Sequence, residues 1–402
     1  MARKSRKTIF EKQHDLILKI TSISDEGDMQ AEYGGGLVSV FGAILGETVS
    51  ADVVSSYRGS KLLSQVATTT EVIECSPERV DPPCVYFGEC TGCDWQHIQY
   101  EYQLEIKKII VNKNLDNYST LKNITIDQII GAINKLWYRN HARFTVRNSM
   151  LGFVNRNTRK FIQIDECMIM HTNINKLMSA IQSKFADASQ FSLRSGVNTE
   201  DYLIQPKLED TRLDVNLGAK FYKEKLGDSE FRISSPSFFQ VNIEQAEKLC
   251  SLILSRLNLS GTEFVVDAYS GVGVFASVLA PYSRNVLAIE ESKAAVADAQ
   301  VNLEGLSNIN IIVGQTGEIL KTLTQIPDVL VLDPSRKGCD AITLETVLEL
   351  LPNKIAYVSC SPKTLSRDLN ILVTGGYKIT SFDLIDMFPQ TRHVESLVVL
   401  SR

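Results

Sequence analysis

The sequence predicts a multidomain α/β protein with a small N-terminal β-barrel, a central α+β region and a C-terminal Rossmann-like domain. Three observations lead to this prediction: a length of 402 residues, short β-like segments near the N-terminus, and alternating strand and helix patterns after residue 230. The length exceeds one ordinary domain. We expect domains at 9–72, 73–230 and 231–402, and we allow a helix near 97–117 to pack with the last of them.

The first part of the chain contains five segments of alternating or β-branched residues, separated by glycines. These segments are Leu16–Ile23, Gln30–Tyr33, Leu37–Phe41, Thr48–Val54 and Lys61–Thr70. Five strands in so short a stretch predict a small barrel, a shape often used to bind oligonucleotides. A purely structural or interaction barrel is the alternative that composition leaves open.

The segment 128–164 carries seven Lys or Arg residues and several aromatic residues, but no Asp or Glu. Uncompensated positive charge with interleaved aromatic rings predicts a surface for RNA phosphates and bases. We take Arg139 and Arg143 as candidate RNA contacts there. A solvated strand face is the alternative, and the net charge of −5 argues weakly against nucleic acid for the chain as a whole.

The chain lacks the features of membrane or secreted proteins. No apolar run reaches the roughly 18 residues of a membrane helix, and the basic N-terminus leads into no signal-peptide core. We therefore expect a cytoplasmic monomer without a membrane partner. Its eight cysteines should be reduced in that compartment, so clustered ones suggest metal binding or catalysis.

After residue 230 the pattern predicts a doubly wound sheet that ends in two adjacent strands. The helix candidates include Lys293–Leu303 and Ala341–Leu351, and Tyr100–Val111 upstream also has helical periodicity. The strand candidates are Phe264–Asp267, Val286–Ile289, Ile309–Val313, Val329–Asp333, Ile355–Ser359, Lys378–Ile385 and Val394–Leu400.

The segment Phe264–Phe275 has the pattern of a buried strand, a glycine turn and a helix. Gly271 and Gly273 would allow the backbone to approach a ligand closely at the carboxyl edge of the sheet. Glu290 ends the next strand, 23 residues after Asp267, where its carboxylate can accept hydrogen bonds from ribose hydroxyls. The combination favours an adenosine cofactor over a purely structural turn.

Three further residues with reactive side chains lie at predicted strand ends. Asp333 precedes Pro334 where substrate and cofactor would meet, although it could instead cap the following helix. Cys360 ends an apolar strand at the position where nucleophiles are found, although a buried structural cysteine is the commoner case. Glu395 precedes the final strand as a candidate general base, with His393 two residues earlier.

Together these motifs resemble the RNA (uracil-C5)-methyltransferase family, which modifies uridines in 23S rRNA and tRNA. The resemblance rests on the segments Ser76–Val80, Cys84–Cys93, Phe238–Asn242, Asp267–Gly273, Asp333–Arg336, Val358–Pro362 and Met387–Glu395. It implies that the N-terminal barrel is a TRAM domain, an RNA-binding module. The chain departs from the family pattern at Gln315, where relatives often have Asp, and at Arg392, where they often have a small residue or proline.

The resemblance also implies residue roles. Cys360 would add as a thiolate to carbon 6 of uracil, and Glu395 would remove the carbon 5 proton after methyl transfer. Arg336 and His393 are additional candidate RNA contacts. The S-adenosylmethionine pocket is expected to contain Gln240, Tyr269, Gly271, Glu290 and Asp333.

Cys84, Cys90 and Cys93 have the spacing C-x5-C-x2-C, and Cys167 follows at a distance. The spacing suits an iron–sulfur cluster or zinc equally well. The family resemblance implies a [4Fe–4S] cluster held by these four residues, with zinc as the alternative. Because methylation needs no redox step, we expect a structural or RNA-shaping role for the cluster.

The sequence thus predicts S-adenosylmethionine-dependent methylation of uridine at carbon 5 in structured RNA, with 23S rRNA as the first candidate substrate. Methylation of tRNA uridine-54 by the same mechanism is the nearest alternative. Cytosine-C5 methylation shares the thiol chemistry but fits Glu395 less well. An RNA-binding folding factor with a vestigial methyltransferase core belongs to a different functional class.

Overall fold

The computed structural model describes residues 8–58, 60–184, 188–206 and 219–402. The chain divides into two compact units. The barrel unit comprises Met1–Lys113, Val154–Ile162 and Gln390–Arg392, and the sheet unit comprises Asn114–Phe153, Gln163–Pro389 and His393–Arg402. No helix in the described ranges is long and apolar enough to cross a membrane. The division into three domains made from the sequence stays a prediction.

The barrel unit contains the five strands β1 (Thr8–Ile23), β2 (Met29–Tyr33), β3 (Gly36–Phe41), β4 (Thr48–Arg58) and β5 (Lys61–Glu74). They form the predicted small barrel, which is closed and has the strand order β1-β2-β3-β5-β4. Alternate strand residues point inward, and Ile20, Val38 and Val49 are fully buried in the core. The predicted strands were too short because β1, β4 and β5 extend well beyond their apolar alternation.

Helix α1 (Tyr100–Asp116) begins where the predicted helix begins and continues five residues further. Its residues Ile106 and Ile110 join Trp95 and Ile98 in the apolar core of the barrel. The buried amide of Gln103 donates hydrogen bonds to the carbonyls of Trp95 and Ile98 at 3.0 and 2.9 Å. These bonds fix the loop that precedes the helix.

The central part of the chain is mainly β-structure. A five-stranded sheet has the order β11-β10-β7-β8-β9, and β12 forms a hairpin with β13. One face of the five-stranded sheet buries Phe144, Phe191 and Leu193. The elements are β6 (Gln128–Ile130), β7 (His141–Arg147), β8 (Met150–Val154), β9 (Phe161–Gln163), α2 (Thr172–Ile181), β10 (Gln190–Ser195), β11 (Tyr202–Gln205), β12 (Phe221–Leu226) and β13 (Ser229–Ser234).

The C-terminal part forms the predicted doubly wound sheet, an eight-stranded sheet with the order β16-β15-β14-β17-β18-β20-β19-β6. Its strands are β14 (Phe264–Ala268), β15 (Asn285–Glu290), β16 (Ile309–Val313), β17 (Val329–Leu332), β18 (Lys354–Ser359), β19 (Lys378–Ile385) and β20 (Glu395–Ser401). The helices are α3 (Ile243–Leu257), α4 (Val274–Leu279), α5 (Lys293–Asn302), α6 (Thr316–Lys321), α7 (Ala341–Leu350) and α8 (Pro362–Thr374).

Strand direction in this sheet determines which side chains can meet. Strands β14 to β18 pair in parallel, whereas β20 runs antiparallel to both β18 and β19. Ser359, the last residue of β18, pairs with Ser396 near the start of β20. The residue that follows β18 and the residue that begins β20 therefore lie at the same edge of the sheet, beside the ends of β14, β15 and β17.

Candidate active site

A glycine turn follows β14 at this carboxyl edge. Tyr269, Gly271 and Gly273 all have positive φ, at 67°, 54° and 91°. The amide of Gly271 donates to the Glu290 carboxylate at 2.9 Å, and the amide of Ser292 donates to its other oxygen at 2.7 Å. A Cβ atom added at Gly271 would meet no atom within 4 Å, so the turn borders open space that a ligand can enter.

Asp267 lies just before this turn and is 0% exposed. One of its carboxylate oxygens accepts a hydrogen bond from the amide of Ala276 at 2.8 Å, and the other has no partner among the described atoms. Burial and the nearby charges of Asp333 and Glu290 raise the pKa of Asp267 to about 8. The carboxyl group is therefore largely protonated at neutral pH.

A second loop, 234–240, precedes α3 and is anchored by a buried carboxylate. Asp298 accepts hydrogen bonds from the amide and hydroxyl of Ser234 at 2.8 and 2.7 Å and from the hydroxyl of Ser237 at 2.6 Å. At the end of this loop Gln240 is half-buried, and its carbonyl accepts a hydrogen bond from the Asn140 amide at 3.1 Å. Its contact with a cofactor stays a prediction.

The loop after β17 contains Asp333 and Arg336 and is held by helix α8. Asp368 is fully buried and accepts hydrogen bonds from the Cys339 amide at 2.8 Å and from the Tyr357 hydroxyl at 2.5 Å. The Thr364 hydroxyl donates to the Arg336 carbonyl at 3.2 Å. These contacts restrict the movement of the loop that contains Asp333 and Arg336.

Further contacts in the same loop come from Arg367. Its guanidinium bonds Asp368 at 2.7 Å and the carbonyls of Lys337 and Cys339 at 3.1 and 3.0 Å. Arg367 and Lys363 are close to Cys360 in the sequence, where a cation could stabilise a thiolate. The structure gives Arg367 a supporting role in the loop instead.

Cys360 lies between the end of β18 and the start of α8, which is capped by the Ser361 side chain. The Arg336 guanidinium lies near enough to the thiol to act on its pKa. Burial and the charges of Glu395 and Asp333 nevertheless raise the pKa of Cys360 to about 12, and Arg336 acts in the opposite direction. The thiol is therefore neutral in the free protein at physiological pH.

Glu395 is the first residue of β20 and is 6% exposed. Burial and the charge of Asp333 raise its pKa well above the usual carboxyl value, whereas Arg336 lowers it. Because Asp333 and Arg336 both act on the pKa values of Cys360 and Glu395, the four side chains form one cluster at the sheet edge. A thiol, two carboxyl groups and a guanidinium are thus brought together.

Comparisons with known proteins agree with this arrangement. The family model described as tRNA (uracil-5-)-methyltransferase matches residues 215–402. An uncharacterised RNA methyltransferase of Halalkalibacterium halodurans is 30% identical over 95% of each chain. Another, of Caldanaerobacter subterraneus, is 31% identical over 95% of this chain and 97% of its own. The chain belongs to the RNA (uracil-5-)-methyltransferase family.

Membership of this family confirms the resemblance seen in the sequence and the prediction of an enzyme. A solved structure agrees at the level of the fold. The crystal structure of Pyrococcus abyssi tRNA (uracil-54, C5)-methyltransferase in complex with S-adenosyl-L-homocysteine has a TM-score of 0.74. The two sequences are 24% identical, and the match covers 96% of this chain and 99% of the other.

Two predicted RNA contacts lie near each other in the sheet unit. His141 has its pKa lowered to about 3 by burial and by the charges of Arg194, Arg139 and Arg143. The three guanidinium groups therefore lie close enough to this ring to act on its pKa. Arg194 was not identified from the sequence, because it follows the acid-free segment by thirty residues and reaches it only through pairing of β10 with β7.

His393, another predicted RNA contact, packs its ring edge-on against Phe388, with ring centroids 5.9 Å apart. Tyr269, expected in the cofactor pocket, directs its hydroxyl to Thr343 at 3.4 Å. Neither contact tests the predicted role. The assignments of RNA and cofactor contacts remain proposals.

The predicted metal centre is not supported. Among the described residues, no three His, Cys, Asp or Glu side chains are grouped so that they could hold a metal ion. The predicted ligands Cys84, Cys90, Cys93 and Cys167 are thus not grouped as a metal site in the described structure. We therefore assign no chemistry to an iron–sulfur or zinc site.

Proposed function

We propose that this protein transfers a methyl group from S-adenosylmethionine to carbon 5 of a uridine in structured RNA. The observation that carries the proposal is the cluster of Cys360, Glu395, Asp333 and Arg336 beside the glycine turn. In the proposed organisation residues 231–402 bind the methyl donor and catalyse the reaction, and the preceding regions at 9–72 and 73–230 bind RNA.

The glycine turn provides features that suit S-adenosylmethionine. The Glu290 carboxylate is held rigidly by two backbone amides and keeps lone pairs for ribose hydroxyls. The Ser270 hydroxyl and one Asp267 oxygen are buried without partners among the described atoms, and such groups usually have one. Gln240, Tyr269, Gly271 and Asp333 would complete the pocket. The bound donor supplies an electrophilic methyl group.

Carbon 5 of uracil is a poor nucleophile until a group adds at carbon 6. Cys360 loses its proton to solvent, and its sulfur forms a bond to carbon 6 while the ring π electrons move into an enolate. Carbon 5 then bonds the methyl group as the bond between that group and the donor sulfur breaks, which leaves a neutral thioether. Glu395 removes the proton from carbon 5, the ring double bond re-forms, and the bond from sulfur to carbon 6 breaks.

Electrostatics in the cluster suit this order of events. Glu395 and Cys360 disfavour each other's charged form, so a thiolate is easier to form while Glu395 is protonated. Once the sulfur is bonded to carbon 6 it carries no charge, and ionisation of Glu395 becomes less costly. The base is therefore generated at the stage that needs it, and Arg336 offsets the negative charge in both stages.

The Cys360→Ala variant tests the nucleophile. We expect wild-type protein to transfer labelled methyl from S-adenosylmethionine to total RNA from a strain lacking the enzyme, and the variant to transfer none in a single turnover. Cys250→Ala removes a different buried thiol and serves as the control. Equal transfer by the wild type and Cys360→Ala would refute the mechanism.

The Glu395→Gln variant tests the base. Since it can still form the sulfur–carbon bond but cannot remove the carbon 5 proton, it should accumulate a covalent complex with RNA that survives denaturing gels. The double variant with Cys360→Ala should show no such band. Absence of a complex in Glu395→Gln would exclude Glu395 as the base.

The RNA substrate is a separate question. The sequence favours 23S rRNA, whereas the family model and the Pyrococcus abyssi neighbour are both described as tRNA methyltransferases, which makes tRNA uridine-54 the second candidate. Mapping 5-methyluridine in total RNA from a deletion strain distinguishes them. Loss at a 23S position supports the first candidate, and loss at tRNA position 54 supports the second.

A further inference from the structure

The barrel unit contains a pocket of about 230 Å³ that the proposed reaction does not use. This volume is below the roughly 300–1,000 Å³ of pockets for drug-sized ligands, so it accommodates one small planar group rather than a whole cofactor. The pocket is lined by residues of β2, β3 and β5 and the turns beside them, and by residues 94–95, 156–157 and 392.

One side of the pocket is apolar and belongs to the barrel. Met29, Val40 and Ala67 from three neighbouring strands are almost fully buried, and so is Trp95. Side chains in such a core occupy fixed positions because the packing leaves little free volume. This wall is therefore a rigid surface against which a flat ring can pack.

The other side carries two ion pairs. Arg392 bonds Asp28, and Arg156 bonds Asp94 at 2.5 Å. The side chain of Arg156 is 47% exposed, whereas that of Asp94 is 12% exposed. Each guanidinium has five N–H donors and each carboxylate about four acceptor sites. The pairs therefore leave donors and acceptors that can bond a ligand.

The hairpin turn that supplies Arg156 and Asn157 is fixed before any ligand binds. The Asn155 side chain accepts hydrogen bonds from the amides of Asn157 and Thr158, both at 2.8 Å. It also donates to the Glu89 carbonyl at 2.7 Å. A binding surface held in this way loses little entropy when it binds a ligand. The same turn exposes Arg159.

We propose that this pocket binds one unpaired guanine base of the RNA substrate, with its flat faces against the barrel wall and its polar edge toward the two ion pairs. This inference rests on the proposed function, because it concerns the same RNA. Single-stranded or bulged bases are the parts of RNA that proteins usually read in sequence-specific recognition. Arg159, which is exposed on the same turn, would contact the flanking phosphates.

Guanine matches the polar side better than the other bases. Its O6 and N7 atoms accept hydrogen bonds from one guanidinium, the commonest specific contact to a base. Its adjacent N1–H and N2–H groups can donate to one carboxylate, and Asp28 and Asp94 both border the pocket. Adenine offers a carboxylate one amino donor at that edge, and uracil offers a single ring N–H.

Trp95 provides a direct probe, because the chain has two tryptophans and Trp137→Phe leaves Trp95 alone. Hexaribonucleotides with G, A, C or U at the third position and uridine elsewhere would be titrated against this protein while its fluorescence is recorded. We expect the G-containing hexamer to change the signal and to bind about tenfold more tightly than the others. Equal affinities for all four hexamers would overturn the proposal.

Two variants of exposed arginines on the same turn provide a matched comparison. Arg156→Gln should abolish the preference for guanine. Arg159→Gln should weaken the binding of all four hexamers equally, and the slope of log affinity against log salt concentration should fall by about one phosphate contact. A guanine preference that survives Arg156→Gln would exclude the pocket as its source. Circular dichroism of both variants confirms that the barrel is folded.

The same preparations separate this proposal from the proposed function. If the protein methylates RNA but does not distinguish the hexamers, only the guanine pocket is wrong. If it prefers guanine but transfers no methyl group to total RNA, only the proposed reaction is wrong.

Discussion

Asp267→Asn should make the protein less sensitive to rising pH. The wild-type carboxyl group is fully buried, and its pKa is raised to about 8 from an ordinary value of 3.8. Asparagine has nearly the same shape and can still accept the hydrogen bond from the Ala276 amide. Its amide nitrogen would replace the oxygen that has no partner among the described atoms.

The sign and size of the effect follow from proton binding. Between pH 3.8 and about 8 the folded wild type binds more protons at Asp267 than the unfolded chain does. Wild-type stability therefore falls as pH rises through this window, by about 1.4 kcal/mol per pH unit. From pH 5 to pH 7 the variant should gain about 3 kcal/mol relative to wild type.

Calorimetry at pH 5 and pH 7 without ligand measures this difference. For a unit of nearly 280 residues, about 3 kcal/mol corresponds to a relative Tm increase of roughly 5 °C. Asp228→Asn, which changes an exposed carboxylate in a hairpin turn, should follow the wild type at both pH values. A constant Tm difference between Asp267→Asn and wild type would refute the assignment of a protonated buried acid.

Three other substitutions, the last with a matched control, test the active-site loop and the glycine turn. Arg336→Gln should move the acid limb of the pH profile of kcat/KM to higher pH, because Arg336 lowers the pKa of the Cys360 thiol. An acid limb at the same pH in both proteins, measured from methyl-transfer rates, would contradict this. Asp368→Asn should lower the free energy of unfolding in urea by about 1–3 kcal/mol and reduce kcat more than it changes KM. Gly273→Ala should cost about 1–3 kcal/mol in the same unfolding assay, because its Cβ would lie 2.8 Å from Leu303. Gly271→Ala meets no such clash and should cost less.

Local periodicity was sufficient to predict much of the fold. The strands at Ile309–Val313 and Lys378–Ile385 have the predicted bounds, because each is an apolar or alternating run with clear limits. β6 was not predicted, since three residues give too short a pattern and its place beside β19 depends on a long-range pairing. The acid-free segment was recognised by its charge rather than as strands of a five-stranded sheet.

The site was predicted less completely. Cys360 and Glu395 were paired through family motifs, and their proximity arises from the antiparallel alignment of β18 and β20, which no local pattern encodes. Asp298 and Asp368 were missed because an acid within a helix usually faces water, whereas these two are buried and bind loops at the sheet edge. The cysteine spacing led to a metal centre that the described structure does not support.

The excess of acidic side chains at the sheet edge suits the positive charge of the proposed methyl donor. Asp333 raises the pKa values of both Asp267 and Glu395, and Glu290 adds to the effect on Asp267. Arg336 alone offsets these charges at Glu395. A sulfonium ion carries a positive charge that this environment stabilises, whereas the thioether left after methyl transfer is neutral. Under the proposed reaction, the bound sulfonium ion favours ionisation of these carboxyl groups, whose pKa values are raised in the free protein. Transfer of the methyl group removes the positive charge and with it this attraction, which favours release of the product.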